Sequence, residues 1–210
     1  MLYQGKPIYK AALTENPEET GMFCISLVDD PAVESNFLAF SNDKEKEILT
    51  FSVNDEEQRI VTGLVMAANR PILRVYGDFV YYIMYDKDTI NAMTERFLAA
   101  GFANNVDTMH NFEIEDGIYL RELYIKDTER GISPKGFEDV EEGSLFATYH
   151  IVNDEVWDKV KSGEFKGFSL AGVFQEVEMS KHEEPDTEED VEENEILGLI
   201  DQLRERMKRG

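Results

Sequence analysis

The chain has 210 residues, with 21 lysines and arginines against 44 aspartates and glutamates and a net charge of −23, a size that fits one ordinary domain plus a short appendage. A chain this acidic repels phosphate and anionic lipid at long range, which excludes nucleic acid and charged membranes as first partners and points to protein instead. Apolar residues at 42% and aromatic residues at 11% supply enough material for a hydrophobic core.

The opening stretch, MLYQGKPIYK, lacks the basic and then apolar regions of a signal peptide, and no window approaches the roughly 18 apolar residues of a membrane helix, so a soluble intracellular chain is expected. Cys24 is the only cysteine, which rules out an internal disulfide and a cysteine-based zinc site. It sits in the apolar run Met22-Phe23-Cys24-Ile25 and is expected to be a buried thiol. The three histidines, His110, His150 and His182, are too scattered for a metal motif, and no cofactor is implied.

In chain order, Ile25-Ser26-Leu27-Val28 and Phe37-Leu38-Ala39-Phe40 read as short strands broken at Pro31, followed by a polar loop around 42–47. Ile60 to Ala67 and Phe79 to Tyr85 are clearer strands, rich in β-branched or aromatic residues and bounded by Gly, Asn, Pro and Asp. Asp86 or Asp88 can cap a helix over 89–100, with Ile90, Met93, Phe97 and Ala100 on one face and Gly101 as the stop.

Met109–Ile114 and Ile118–Ile125 alternate in polarity on either side of Glu115-Asp116-Gly117, a pattern that predicts a β-hairpin. A three-residue loop closed by glycine would set Ile114 opposite Ile118 and therefore His110 opposite Glu122, where a carboxylate could orient the imidazole as a general base. A two-residue Asp-Gly turn would instead send Glu122 to the opposite face.

A strand from Leu145 to Val152 follows, and then a helix capped by Asn153 or Asp154, carrying Val156, Trp157 and Val160 and ending at Gly163. Lys166–Phe174 reads as a strand with Phe168, Leu170 and Phe174 on one face and Ser169, Ala171 and Val173 on the other. Its glycines leave room for a nearby backbone, and room around a serine is what a nucleophile requires, although Ser169 is not in the GxSxG elbow of the α/β-hydrolases.

Residues 176–195 hold eleven acids and one lysine, and this stretch should be disordered. Beyond it, Ile196, Ile200, Leu203 and Met207 recur at helical spacing, and the basic end of the segment suits a helix C-terminus. Three parts are therefore expected: a domain over 1–176, an acidic linker over 177–195 and an amphipathic helical tail over 196–210.

The stretch from about Phe23 to Glu176 resembles the prohead maturation proteases of tailed phages, in particular the XkdF-like family, whose fold is related to the herpesvirus assemblins. The likeness lies in VDDPAVESNFLAF, in TINAMTERFLAAGF leading into NNVDTMHN, in LRELYI and in NDEVWDKVKSGEFKGFSLAGVF. It implies an α+β fold with a mainly antiparallel sheet or barrel core and a few flanking helices. By the same likeness, Ser169 matches the nucleophile, His110 the base and Glu122 the acid. Because the herpesvirus relatives use a second histidine in the third place, that member stays open, and His150 in FATYHIV is the other candidate.

The resemblance further implies a serine endopeptidase acting inside the assembling prohead in the host cytoplasm. Its substrates would be scaffold and major capsid proteins and the chain itself, with a homodimer possible. A glutamate at the cut with an aliphatic residue two positions earlier fits both Leu13-Thr14-Glu15 and Leu203-Arg204-Glu205. The alternative function is an inactive scaffold or capsid-docking protein that uses the acidic linker and tail. An acidic DNA mimic rests on net charge alone.

Overall fold

A computed structural model describes residues 1–29, 31, 52–55 and 58–179. The strand expected at Phe37–Phe40, the polar loop after it, the acidic linker and the tail helix lie outside the described residues, except for the first three linker positions.

The elements run, in chain order, β1 (Leu2–Tyr3), β2 (Lys6–Ala12), β3 (Gly21–Val28), β4 (Ser52–Asp55), β5 (Ile60–Met66), β6 (Ile72–Tyr76), β7 (Phe79–Met84), α1 (Lys87–Ala99), a 3-10 turn (Phe102–Asn104), β8 (Val106–Thr108), β9 (Ile118–Ile125), β10 (Leu145–Ile151), α2 (Asp154–Lys161), β11 (Gly167–Val173) and β12 (Gln175–Glu178). This is the expected α+β class: mostly strands, in three sheets, with two α-helices among the described residues.

The first sheet runs β1-β2-β7-β6, with β12 also on β2. The second is antiparallel throughout, in the order β4-β5-β10-β9, and the third is β11-β3-β8. In the third sheet β3 pairs antiparallel with β11 and parallel with β8.

The helices follow from the signals read in the sequence. The Asp86 carboxylate accepts from the Thr89 amide at 2.8 Å, capping α1. Ile90, Met93 and Phe97, three and four residues apart, are fully buried against the main core. Each such side chain contributes about 1.5–3 kcal/mol by leaving water. Asn153 caps α2 through its contacts with the Glu155 and Val156 amides. Val156, Trp157 and Val160 join the same core as Ile25 and Leu27 of β3. No helix among the described residues is long and apolar enough to cross a membrane.

The expected hairpin does not form. Met109, His110 and Phe112 have φ of 55°, 54° and 61°, left-handed values that no strand can continue through. The strand in this region is β8, three residues earlier, and its partner is β3. β9 forms as expected but pairs with β10, which sets Glu122 opposite Thr148 rather than His110. Local alternation is satisfied equally well by a neighbour distant in sequence, and β10 is apolar enough to compete for β9. The turn before β9 does use Gly117 at φ 80°, and its carbonyl accepts from the Val152 and Asn153 amides.

The alternation of β11 holds as far as Ala171, and a register shift against β3 follows at Gly172. A Cβ on Gly172 would stand 2.6 Å from the Gly21 carbonyl oxygen and 2.5 Å from the Phe174 ring. The sequence reading of a close backbone beside these glycines therefore applies at Gly172. Gly172→Ala should destabilise the protein by about 1–3 kcal/mol, since the clash involves backbone that cannot rotate away. Chemical denaturation of the two proteins measures this, and an unchanged midpoint would refute the packing argument.

Candidate active site

Three strands bring the polar groups of the site into one row. Ser169 of β11 is the register partner of Ser26 on β3, and Ser26 is the parallel partner of Asp107 on β8. Directly paired residues in a sheet project to the same face. Ser26 and Asp107 are fully buried and Ser169 is 8% exposed. A polar row at that depth must satisfy itself internally.

The side chain that completes it comes from the segment just after β8. His110 Nε2 lies 3.0 Å from Ser169 Oγ, and His110 Nδ1 lies 2.8 Å from Ser26 Oγ. Both ring nitrogens are thus engaged by hydroxyls, one on each side of the half-buried imidazole.

The backbone that presents His110 is held at several points. The Met109 amide donates to the Leu27 carbonyl at 2.9 Å, anchoring the segment to β3. The Phe112 amide donates to Asp107 Oδ2 at 2.8 Å, and the Glu115 amide to the Val106 carbonyl at 2.8 Å. Left-handed conformations at non-glycine residues each cost on the order of 1–3 kcal/mol and concentrate at functional sites, where the surroundings enforce them.

Burial lowers the pKa of His110 below the ordinary histidine value, the Asp107 charge opposes that shift, and the Arg74 guanidinium reinforces it. The imidazole is therefore neutral at neutral pH and able to take a proton. Cys24, two residues before Ser26, is buried as expected, and burial together with the Asp107 charge pushes its thiol up to about 12. A thiol so poorly ionised is no nucleophile at neutral pH.

The structure thus brings together two of the three residues singled out from sequence. Glu122 is exposed on β9 in a different sheet, and neither nitrogen of His110 is available to it. His150 lies on β10 and lines a surface cavity of about 370 Å³ with Gln58, Arg59, Arg121 and Val152, apart from the Ser26–His110–Ser169 chain.

Residues 47–178 match the family described as "Putative phage serine protease XkdF". The chain belongs to that family. Among curated proteins of Bacillus subtilis (strain 168), it is 28% identical over 165 residues to "Phage-like element PBSX protein XkdF", an alignment covering 75% of this chain and 55% of that protein. It is also 25% identical over 183 residues to "Uncharacterized protein YqbD", covering 84% of this chain and 51% of that one. The chain spans about half the length of the curated relatives it matches. No solved structure matches it.

The stretch that matches the XkdF family contains His110 and Ser169, while Ser26 and the rest of β3 precede it. Ser26 and Asp107 escaped the sequence reading. The signal for each was a lone polar residue inside a short buried strand, in Ile25-Ser26-Leu27 and Val106-Asp107-Thr108. Such a residue must find a partner, but its identity depends on pairings far apart in the chain. Ser26→Ala should displace the NMR signal of His110 Nδ1. Glu122→Ala should leave both ring-nitrogen signals in place and change stability by less than about 0.5 kcal/mol. A shifted His110 ring in the Glu122 variant would restore the pairing expected from sequence.

Proposed function

We propose that the protein is a serine endopeptidase of prohead maturation, with Ser169 as nucleophile, His110 as general base and Ser26 as the positioning partner of His110. The observation that carries this reading is the 3.0 Å contact between His110 Nε2 and Ser169 Oγ, made by a neutral imidazole whose other nitrogen is already held. Membership of the XkdF family supports it. A docking protein with a lost protease site would need Ser169 and His110 apart, and this contact favours the enzyme.

In the proposed reaction Ser169 Oγ bonds to the scissile carbonyl carbon while its proton passes to His110 Nε2. As the carbon–nitrogen bond breaks, Nε2 returns that proton to the leaving amine. Water then repeats the sequence on the acyl-enzyme, giving a carboxyl terminus and restoring Ser169.

The substrates in this reading are scaffold and major capsid proteins, together with the chain's own tail. Of the two self-cleavage sequences, Leu13-Thr14-Glu15 is tied into the fold. The Thr14 amide donates to Thr20 Oγ1 at 2.8 Å, and Arg96 donates to the Thr14 carbonyl at 2.6 Å. A protease needs an extended, unpaired segment, which Leu13-Thr14-Glu15 does not offer; Leu203-Arg204-Glu205 is the remaining candidate and lies outside the described residues.

Intact-mass analysis after incubation with the cognate scaffold tests this. Wild type should cut the scaffold and lose residues 206–210, whereas Ser169→Ala and His110→Ala should do neither while unfolding at the same temperature as wild type. Equal processing by Ser169→Ala would exclude the assignment.

The pH profile gives a second test. Only the neutral imidazole accepts a proton, and burial lowers the pKa at which His110 becomes charged. Activity should therefore rise with pH through an acid limb below the 6.5 of an ordinary histidine. A limb above that value would mean that a different group is the base.

A further inference from the structure

We propose that the buried carboxylate of Asp107, acting with Ser26, holds His110 in the tautomer that carries its proton on Nδ1, leaving Nε2 free to receive the proton of Ser169. This rests on the protease reading of Ser169 and His110 and assigns a positioning role that the two serines cannot perform alone.

A hydroxyl both donates and accepts. The hydrogen-bond chain Ser26–His110–Ser169 can therefore run in either direction. In one direction Ser169 donates to Nε2, and Nδ1–H donates to Ser26 Oγ. In the other, Ser26 donates to Nδ1, and Nε2–H donates to Ser169. The distances of 2.8 and 3.0 Å fit both. Only the first leaves Nε2 able to act as a base, so something outside the chain must choose.

A fixed negative charge on the Nδ1 side makes that choice, because it favours a proton on the nearer nitrogen and an O–H dipole turned towards itself. Asp107 stands on that side. Within the sheet it flanks Ser26 on β8, and Ser169 flanks Ser26 on β11. Asp107 is fully buried, with Oδ2 taken by the Phe112 amide. Its Oδ1 accepts from no nitrogen or oxygen donor although it is buried, and the carboxylate also interacts with the Cys24 thiol. When Ser26 accepts from Nδ1–H, its own hydrogen turns away from the ring and needs an acceptor. The Asp107 carboxylate on the neighbouring strand gives that O–H dipole a negative charge to turn towards, although no hydrogen bond joins Ser26 to it.

The same placement serves the reaction. Once Ser169 has given up its proton, both ring nitrogens carry one and the ring is positive. The groups that then bear on it are Ser26 from β3, Ser169 from β11, Asp107 from β8 and, more remotely, the Arg74 guanidinium from β6, with the protonated Cys24 thiol beside Asp107. Of these, only Asp107 favours the imidazolium electrostatically.

The test is the tautomer itself, read from two-bond proton–nitrogen NMR of nitrogen-15-labelled protein at neutral pH, with the Ser26→Ala variant assigning the His110 signals. Wild type should show His110 protonated at Nδ1. Asp107→Asn keeps an oxygen for the Phe112 amide and removes the charge. It should raise the Nε2–H population, lower kcat on a peptide substrate by about a hundredfold with little change in KM, and move the acid limb of kcat/KM to lower pH. A wild-type His110 protonated chiefly at Nε2 overturns the proposal, whatever the variants do. So does an Asp107→Asn protein with an unchanged tautomer ratio and acid limb. The tautomer reading needs no turnover, whereas failure of the protease reading shows as processing by Ser169→Ala, so the two failures are distinguishable.

Discussion

The register between β3 and its two neighbours is the constraint on which the site depends. Because Ser26 is paired with Ser169 on one side and Asp107 on the other, three polar side chains from positions 26, 107 and 169 share a single face. A slip of one residue in either pairing would turn a member of the row to the opposite face. Both faces of this sheet are largely buried, with Ile25, Leu27 and Phe168 in the main core, so a slip would also exchange apolar side chains for polar ones there. The hydrophobic core and the polar row thus enforce the same alignment, and stability and site geometry are one requirement.

The parallel pairing of β3 with β8 has a second consequence. β8 is only three residues long, and the chain leaves it at once through left-handed residues. A longer strand would carry His110 along the sheet, with its ring directed by the pleat. Ending the strand at Thr108 lets the backbone turn, and the imidazole reaches across between two hydroxyls. Anchors at Leu27, Asp107 and Val106 offset the cost of that turn. Asp107 thereby has two structural consequences: one carboxylate oxygen fixes the loop that carries His110, while the charge acts on the ring.

Legibility in the sequence followed the range of the interactions involved. The helices were readable because their caps and apolar stripes are local. Asp86 and Asn153 act within three residues, and Ile90, Met93 and Phe97 need no knowledge of the rest of the chain. Strands β5, β7 and β10 were readable from composition for the same reason. The pairing of strands was not. Alternation in Ile118–Ile125 was read correctly as a strand, yet alternation does not name a partner, and β10 took the place assigned to Met109–Ile114. The same limit separates the site residues. Ser169, His110 and Glu122 all came from short motifs that resemble a family, and the contact between His110 and Glu122 was further inferred from a hairpin register that the fold does not use. Ser26 belongs to no such motif and Asp107 was not singled out within NNVDTMHN, because their role exists only once three distant strands are side by side.

A hydroxyl rather than a carboxylate in direct contact with the imidazole has a clear electrostatic logic. A carboxylate hydrogen-bonded to Nδ1 favours the charged ring in the resting state as well as during proton transfer. In a half-buried site with Arg74 opposing it, burial already biases His110 towards neutrality, and Ser26 preserves that bias by bonding without adding charge. Moving the negative charge one strand further away weakens its pull on the resting ring but retains a direction, and direction is what tautomer selection requires. The sheet spacing of about 4.8 Å sets how far away that charge sits. The fold thus separates two tasks that a single acid would otherwise combine: contact with the base, given to a neutral hydroxyl, and electrostatic bias, given to a carboxylate too deeply buried to be screened by solvent.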